Sequence, residues 1–128
     1  MSVSVGTHDN LVKYCSAKNF DGESFVCRHR QSYNNVFEDC NALAGAGTDL
    51  SGIVLRDGTY SNTFRRCRID GMENAIAFYD TAEDGGTQNA GHDNIFEYCI
   101  FQGTTSIAST SYCIDFNVYS VGYTGSVY

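Results

Sequence analysis

A six-residue frame recurs four times along this chain: NLVKYC from Asn10, NVFEDC from Asn35, NTFRRC from Asn62 and NIFEYC from Asn94. Each copy reads Asn, any residue, an apolar residue, two variable residues, Cys. The asparagines are 25, 27 and 32 residues apart. A recurrence of this length limits the chain to a stack of supersecondary units, each burying its apolar face against its neighbours. The drift in spacing narrows the choice. Helical repeats hold a tighter length, whereas coiled strands joined by variable turns absorb insertions at the turns.

A second apolar segment follows each frame: SFVCR from Ser24, GIVLR from Gly52, AIAFY from Ala75 and CIDFN from Cys113. Superimposed, they give one file of Phe25, Ile53, Ile76 and Ile114, and a second of Cys27, Leu55, Phe78 and Phe116. Alternation with a period of two is the pattern of a strand with one buried face. The frame adds Val12, Phe37, Phe64 and Phe96, and two residues past each Cys stand Ala17, Ala42, Ile69 and Phe101. Each unit therefore holds two apolar strands joined by glycine-bearing turns, with a poorly marked third. The absence of proline and tryptophan, with 13 glycines, 9 tyrosines and 8 phenylalanines, agrees with an all-β chain.

The frame N-x-[VF]-x-x-C-x-[AIF], followed by a GIVL-like segment, resembles the coils of the pectin-lyase-like superfamily of right-handed parallel β-helices. The resemblance runs from about His8 to Phe116. It implies an all-β right-handed parallel β-helix of about four coils, one domain over residues 1–128. The superfamily includes polysaccharide lyases, polygalacturonase-like hydrolases, alginate epimerases and phage tailspikes, so the resemblance is specific for fold and leaves function open. No catalytic motif of these enzymes is matched well enough to carry residues over, and the DPH-type motif of alginate epimerases is absent.

Stacking explains the recurring asparagine and cysteine. Equivalent residues in a parallel solenoid lie about 4.8 Å apart. An inward Asn at a turn hydrogen-bonds the turn backbone and the Asn above and below it, satisfying groups that would otherwise be buried unpaired. Asn10, Asn35, Asn62 and Asn94 are expected to form such a ladder, with Cys15, Cys40, Cys67 and Cys99 as a thiol ladder beside it. Stacked Cβ atoms at about 4.8 Å exceed the usual disulfide range of about 3.5–4.5 Å. No C-x-x-C pair suggests zinc. Free buried thiols are the favoured reading over a disulfide or a metal site, and they fit a reducing compartment. Outside the ladders, Lys13, Glu38, Arg65 and Glu97 share one site with alternating sign, and Asp39 stands beside Arg66. Such pairs fix register more than they stabilise, at roughly up to 1 kcal/mol each.

A net charge of −7 argues against a nucleic-acid partner, which needs a basic stripe. No apolar run is long enough for a membrane span. The opening MSVSVGTHDN has neither a basic n-region nor an apolar h-region, so no secretory signal is visible. Location stays open, with virion-associated and extracellular settings both compatible with the resemblance. The Gly-rich ALAGAGTDLSG lacks the GK[ST] ending of a phosphate loop.

Chemistry is most readily placed just past the second strand. His29, Asp57 and Asp80 fall at one position on successive coils, preceded by Arg28, Arg56 and Tyr79. Two carboxylates a coil apart suit a glycosidase pair or a hard cation such as calcium, the one metal this pattern suggests; no other cofactor is implied. His29 can serve as acid or base near neutrality, and Arg28 or Arg56 can neutralise a uronate. The long turn 81–92 brings Glu83 and Asp84 over the same region. The plainer alternative is that these aspartates cap turn backbone and pair with surface arginines. His8, Tyr33, Tyr60 and His92 make a further row, two residues before each Asn, that reads as a stacked aromatic face able to pack on another chain, on sugar rings or merely on its own turns. Val26 and Val54 point outward and hint at a covered surface or subunit contact, so that a lysine at Val54 is expected to leave the fold intact and weaken a lateral association.

Neither terminus carries an amphipathic capping helix, so the end coils are expected to expose half their core and an unpaired strand edge. The chain reads as part of a longer solenoid or of an assembly. Two functions follow: a structural or carbohydrate-binding module of a fibre or tailspike-like homo-oligomer, contacting polysaccharide or partner chains, or a carbohydrate-active enzyme using His29, Asp57 and Asp80.

Overall fold

The structure, a computed structural model, describes residues 2–3, 7–18, 22–44, 51–80, 91–103 and 112–118, with residues 2, 3, 80, 103, 112 and 115–118 described by backbone alone. The described residues form a right-handed parallel β-helix with three sheets. The first sheet stacks β1 (Ser2–Val3), β4 (Glu23–Arg28), β7 (Ser51–Arg56), β10 (Asn74–Asp80) and β13 (Tyr112–Val118). The second stacks β2 (Leu11–Lys13), β5 (Val36–Glu38), β8 (Thr63–Arg65) and β11 (Ile95–Glu97). The third stacks β3 (Ser16–Lys18), β6 (Asn41–Leu43), β9 (Arg68–Met72) and β12 (Ile100–Gly103). The register is the one the apolar files require: Phe25 pairs Ile53, Ile53 pairs Ile76 and Ile76 pairs Ile114.

The poorly marked third strand starts directly after the cysteine of each Asn–Cys frame. It is separated from the short strand inside the frame by a corner residue in the left-handed region: Tyr14 (φ 55°), Asp39 (55°), Arg66 (50°) and Tyr98 (55°). A second left-handed residue precedes each asparagine, at Asp9, Asn34, Ser61 and Asp93. His29 (φ 69°) and Asp57 (φ 55°) turn the chain out of the first sheet. Such backbone costs an L-residue roughly 1–2 kcal/mol. The stack offsets it, because corner amides bond the next coil: Tyr14 N–H to the Glu38 carbonyl (3.1 Å), Asp39 to Arg65 (3.0 Å), Arg66 to Glu97 (3.0 Å).

Inside the coils the asparagine ladder is continuous. Nδ2 of Asn10 donates to Oδ1 of Asn35 (2.8 Å), Asn35 to Asn62 (2.9 Å) and Asn62 to Asn94 (3.0 Å). The same oxygens accept the backbone N–H of the preceding asparagine, at 3.3, 3.1 and 3.0 Å. Each later Nδ2 also donates to a carbonyl of the coil before: Asn35 to Thr7, Asn62 to Ser32 and Asn94 to Thr59, all at 3.2 Å. The ladder therefore has a direction.

The cysteines stack beside it, and all six in the chain are free thiols. Cys40, Cys67 and Cys99 each donate Sγ–H to a carbonyl of the preceding coil, from Val12 (3.6 Å), Phe37 (3.5 Å) and Phe64 (3.3 Å). Burial pushes the Cys27 thiol up to about 12 and raises Cys40 as well. Cys67 is raised by its hydrogen bond with Cys99 and then by burial. The phenylalanine file forms a flat stack, Phe37 on Phe64 at 4.7 Å and Phe64 on Phe96 at 5.2 Å between centroids.

Gly52 is demanded by packing. A Cβ there would overlap Ile69 Cγ2 and lie 2.8 Å from the Ala75 carbonyl oxygen.

The outer row of the first sheet departs from expectation. Val26, Val54 and Ala77 do point away from the central core, but they form a second buried cluster with Tyr79 packed against it. Val54 is wholly buried within the chain's own envelope, so this row is not a free lateral surface. The end coils are less closed than the middle ones, the last more so than the first. Phe37, Phe64, Ala42 and Ile69 are fully buried, whereas Phe96 and Phe101 on the last coil and Ala17 on the first are only partly so; Val12 and Phe25 on the first coil are buried.

Candidate functional site

The row proposed from sequence begins where β4 and β7 end. Arg28 lies in register with Arg56, and Arg56 with Tyr79. His29 and Asp57 are equivalent turn residues: His29 N–H bonds the Arg56 carbonyl at 3.1 Å, and Asp57 N–H bonds the Tyr79 carbonyl at 3.0 Å. Asp80 departs from this pattern. It continues β10 as extended chain, pairing Val118, and its side chain lies outside the described residues. Glu83 and Asp84 also fall outside the described residues.

The Asp57 carboxylate is not presented to solvent, its side chain being 1% exposed. Its Oδ2 stands 3.9 Å from Nε of Arg28, one coil away. Arg56 Nη1 stands 3.6 Å from Oε1 of Glu23, an acid on the coil before that the sequence reading did not single out. Both arginine heads thus have acidic neighbours on the stack, and both keep part of their surface in water. Tyr79 is half-buried over the valine row, with its hydroxyl 3.4 Å from Ser51 Oγ. The geometry brings together a partly exposed Arg28–Arg56 cation pair, His29 and a buried Asp57. A buried carboxylate beside a guanidinium is suited to anchoring a turn. Reaching a sugar's anomeric carbon would require it to be uncovered. Among the described residues, no group of three His, Cys, Asp or Glu is placed to hold a metal ion.

The second candidate is the aromatic row, and here the rings do stack. His8 lies on Tyr33 at 4.7 Å, Tyr33 on Tyr60 at 5.0 Å and Tyr60 on His92 at 5.3 Å, with planes within 10° of parallel. Isolated parallel bridges join the same four residues along the backbone. Sugar stacking uses the face of an aromatic ring, and in this row each tyrosine has both faces covered by its neighbours. Only the outer faces of His8 and His92, at the two ends, have no ring against them among the described residues. Each histidine is held through Nδ1 by the next residue, His8 by Asp9 at 2.7 Å and His92 by Asp93 at 2.9 Å. The hydrogen bond to His8, with a second from Asn34, holds the Asp9 carboxyl below its ordinary value.

The charged row alternates as its residues imply. Lys13 pairs Glu38 at 3.1 Å, Arg65 pairs Glu97 as well as Glu38, and Arg66 binds Asp39 at 2.8 Å and also Glu38. The Glu38 carboxyl is held below its ordinary range by Lys13 and Arg66, and that of Asp39 by Arg66.

Large apolar side chains stand exposed at matching places on the first and last coils: Leu11 (60%) and Ile95 (53%), Tyr14 (76%) and Tyr98 (81%). The sequence reading missed these pairs. The signal was there, since each pair occupies one place in the frame, filled on the inner coils by Val36 and Thr63 or by Asp39 and Arg66.

No family model, no curated protein and no solved structure matches the chain.

Proposed function

We propose that this chain is a structural β-helix module of a fibre or tailspike-like assembly, built from coils of the pectin-lyase-like type. The carrying observation is the state of the end coils: partly open core, edges of β2, β3, β11 and β12 with no strand beside them among the described residues, and exposed Leu11, Tyr14, Ile95 and Tyr98. Surface of that kind is what a solenoid covers with a cap or another subunit. The inner coils bury their polar groups in ladders, a use that stabilises a rod and needs no substrate.

Carbohydrate binding is the second reading. Arg28 and Arg56, stacked and partly solvent-facing, suit an acidic sugar such as a uronate. Catalysis by Asp57 is the weaker form of it, because the carboxylate is covered and turned to Arg28. Two measurements separate the readings. Sedimentation across a wide concentration range should show association for a structural module. Incubation with a panel of acidic polysaccharides should show no new reducing or unsaturated ends; cleavage lost in Asp57→Asn would instead establish the enzyme.

A further inference from the structure

We infer that the two ends of the solenoid are complementary halves of one head-to-tail interface, so that the last coil of one copy docks on the first coil of a second copy of this chain. This rests on the assembly reading above and gives it a partner and a register.

The argument is that the files continue in phase when the ends are brought together. The alternating charges run Lys13, Glu38, Arg65, Glu97, positive at the first coil and negative at the last. Stacking sets Glu97 of one copy against Lys13 of the next and repeats the pairing already made by Lys13 and Glu38. Ile95 meets Leu11, and Tyr98 meets Tyr14, large apolar side chains left exposed at each end. The outer face of the His92 ring meets the outer face of His8, extending a stack whose internal spacings are 4.7–5.3 Å.

The ladders agree in direction. On inner coils an Asn donates its backbone N–H and Nδ2–H to the Oδ1 of the next Asn. Asn94 offers those donors at one end, and Asn10 offers the Oδ1 at the other. Among the described residues, Cys15 differs from the other ladder thiols in reaching only a carbonyl of its own coil, that of Lys13. Docking supplies the Phe96 carbonyl at the place where Cys40, Cys67 and Cys99 each find one.

Two files oppose the junction: Asp93 would lie beside Asp9, two acids each bound to its own histidine, and β13 in the register of the stack sets Asp115 beside Val26 of the outer apolar row. Against them stand one opposite-charge pair, two apolar pairs, the ring stack and the ladder bonds. One strand must also move. β1 occupies the edge of β4, with Ser2 beside Val26 and Val3 beside Cys27, and β13 of the docked copy needs the same edge. The two-residue β1 is displaced by the seven-residue β13, which lays Ile114, exposed at its own end, over Phe25. A heterologous contact of this kind does not close on itself, so it propagates into a filament.

The test uses the full chain. Zero-length carbodiimide cross-linking of the wild-type protein should give a covalent dimer containing a Lys13–Glu97 linkage, which cannot arise within one copy because two coils lie between these residues. Lys13→Glu and Glu97→Lys should each weaken association roughly tenfold by turning the pair repulsive. An equimolar mixture of the two should restore it, since every alternating junction then regains opposite charges. Each variant also loses an internal pair, Lys13–Glu38 or Arg65–Glu97, so a cooperative melt shows that it folds, and recovery in the mixture, which leaves the internal repulsions in place, reads the junction alone. Association without the cross-link, and untouched by either substitution, would overturn this register while leaving the assembly reading intact. A monomer at every concentration would overturn both.

Discussion

Replacing Asn62 by alanine tests the ladder where it is most enclosed. Asn62 is fully buried and makes four side-chain hydrogen bonds. Nδ2 donates to the Ser32 carbonyl and to Asn94 Oδ1, and Oδ1 accepts from N and Nδ2 of Asn35. After truncation, Asn94 Oδ1 still accepts the backbone N–H of residue 62, and Asn35 Nδ2 still donates to Thr7. The Asn35 N–H and the Ser32 carbonyl lose these partners, and both residues are completely buried. The buried Asn35 N–H left without its acceptor costs roughly 1–3 kcal/mol, and the lost bond to the Ser32 carbonyl adds about 1 kcal/mol, for a loss of about 3 kcal/mol. Asn10→Ala is the control. Asn10 is exposed and only donates, to Asn35 Oδ1 and the His8 carbonyl, so its loss should cost under about 1 kcal/mol. Urea denaturation followed by circular dichroism measures both, and in a thermal scan the Asn62 variant should melt roughly 10–20 °C lower. Equal losses for the two variants would refute the reasoning, because burial of the stranded groups is its only source of asymmetry.

Four further outcomes are expected. Gly52→Ala should cost about 1–3 kcal/mol or abolish folding, since its methyl group would meet Ile69 and the Ala75 carbonyl; a wild-type melt would contradict the close approach. Val54→Lys should prevent folding by burying an unpaired cation, and a soluble, folded variant would show that the outer valine row is open to solvent. Thiol alkylation read by mass spectrometry should modify exposed Cys113 first, half-buried Cys15 and Cys99 next, and Cys27, Cys40 and Cys67 last, their raised values leaving little thiolate at neutral pH. Glu38 and Asp39 have lower values folded than unfolded, so their contribution is full above about pH 5 and fades as the pH falls through about 4; Arg66→Ala should flatten that acid-side decline in melting temperature, and an undiminished slope would remove Arg66 as its cause.

The repeat alone determined the solenoid. Once four asparagines and four cysteines recur at near-equal spacing, parallel stacking is what brings like residues into contact, and the files Phe25–Ile53–Ile76 and Phe37–Phe64–Phe96 follow from period-two alternation. The ladders and the alternating charges were legible for the same reason: a one-coil offset is a short-range relation between equivalent positions. The corners were not. Tyr14, Arg66 and Tyr98 adopt left-handed backbone that their side chains do not favour, so the bend between the frame's strand and the strand after its cysteine has no residue signature. It is imposed by bonds from corner amides to the next coil, which exist only in the stack. Burial outside the coils escaped the sequence too. Val54 stands at a position that strand alternation turns away from the core, and Asp57 lies in the turn past the end of β7; what covers such positions is brought there by the closed path of the chain, which local spacing does not encode.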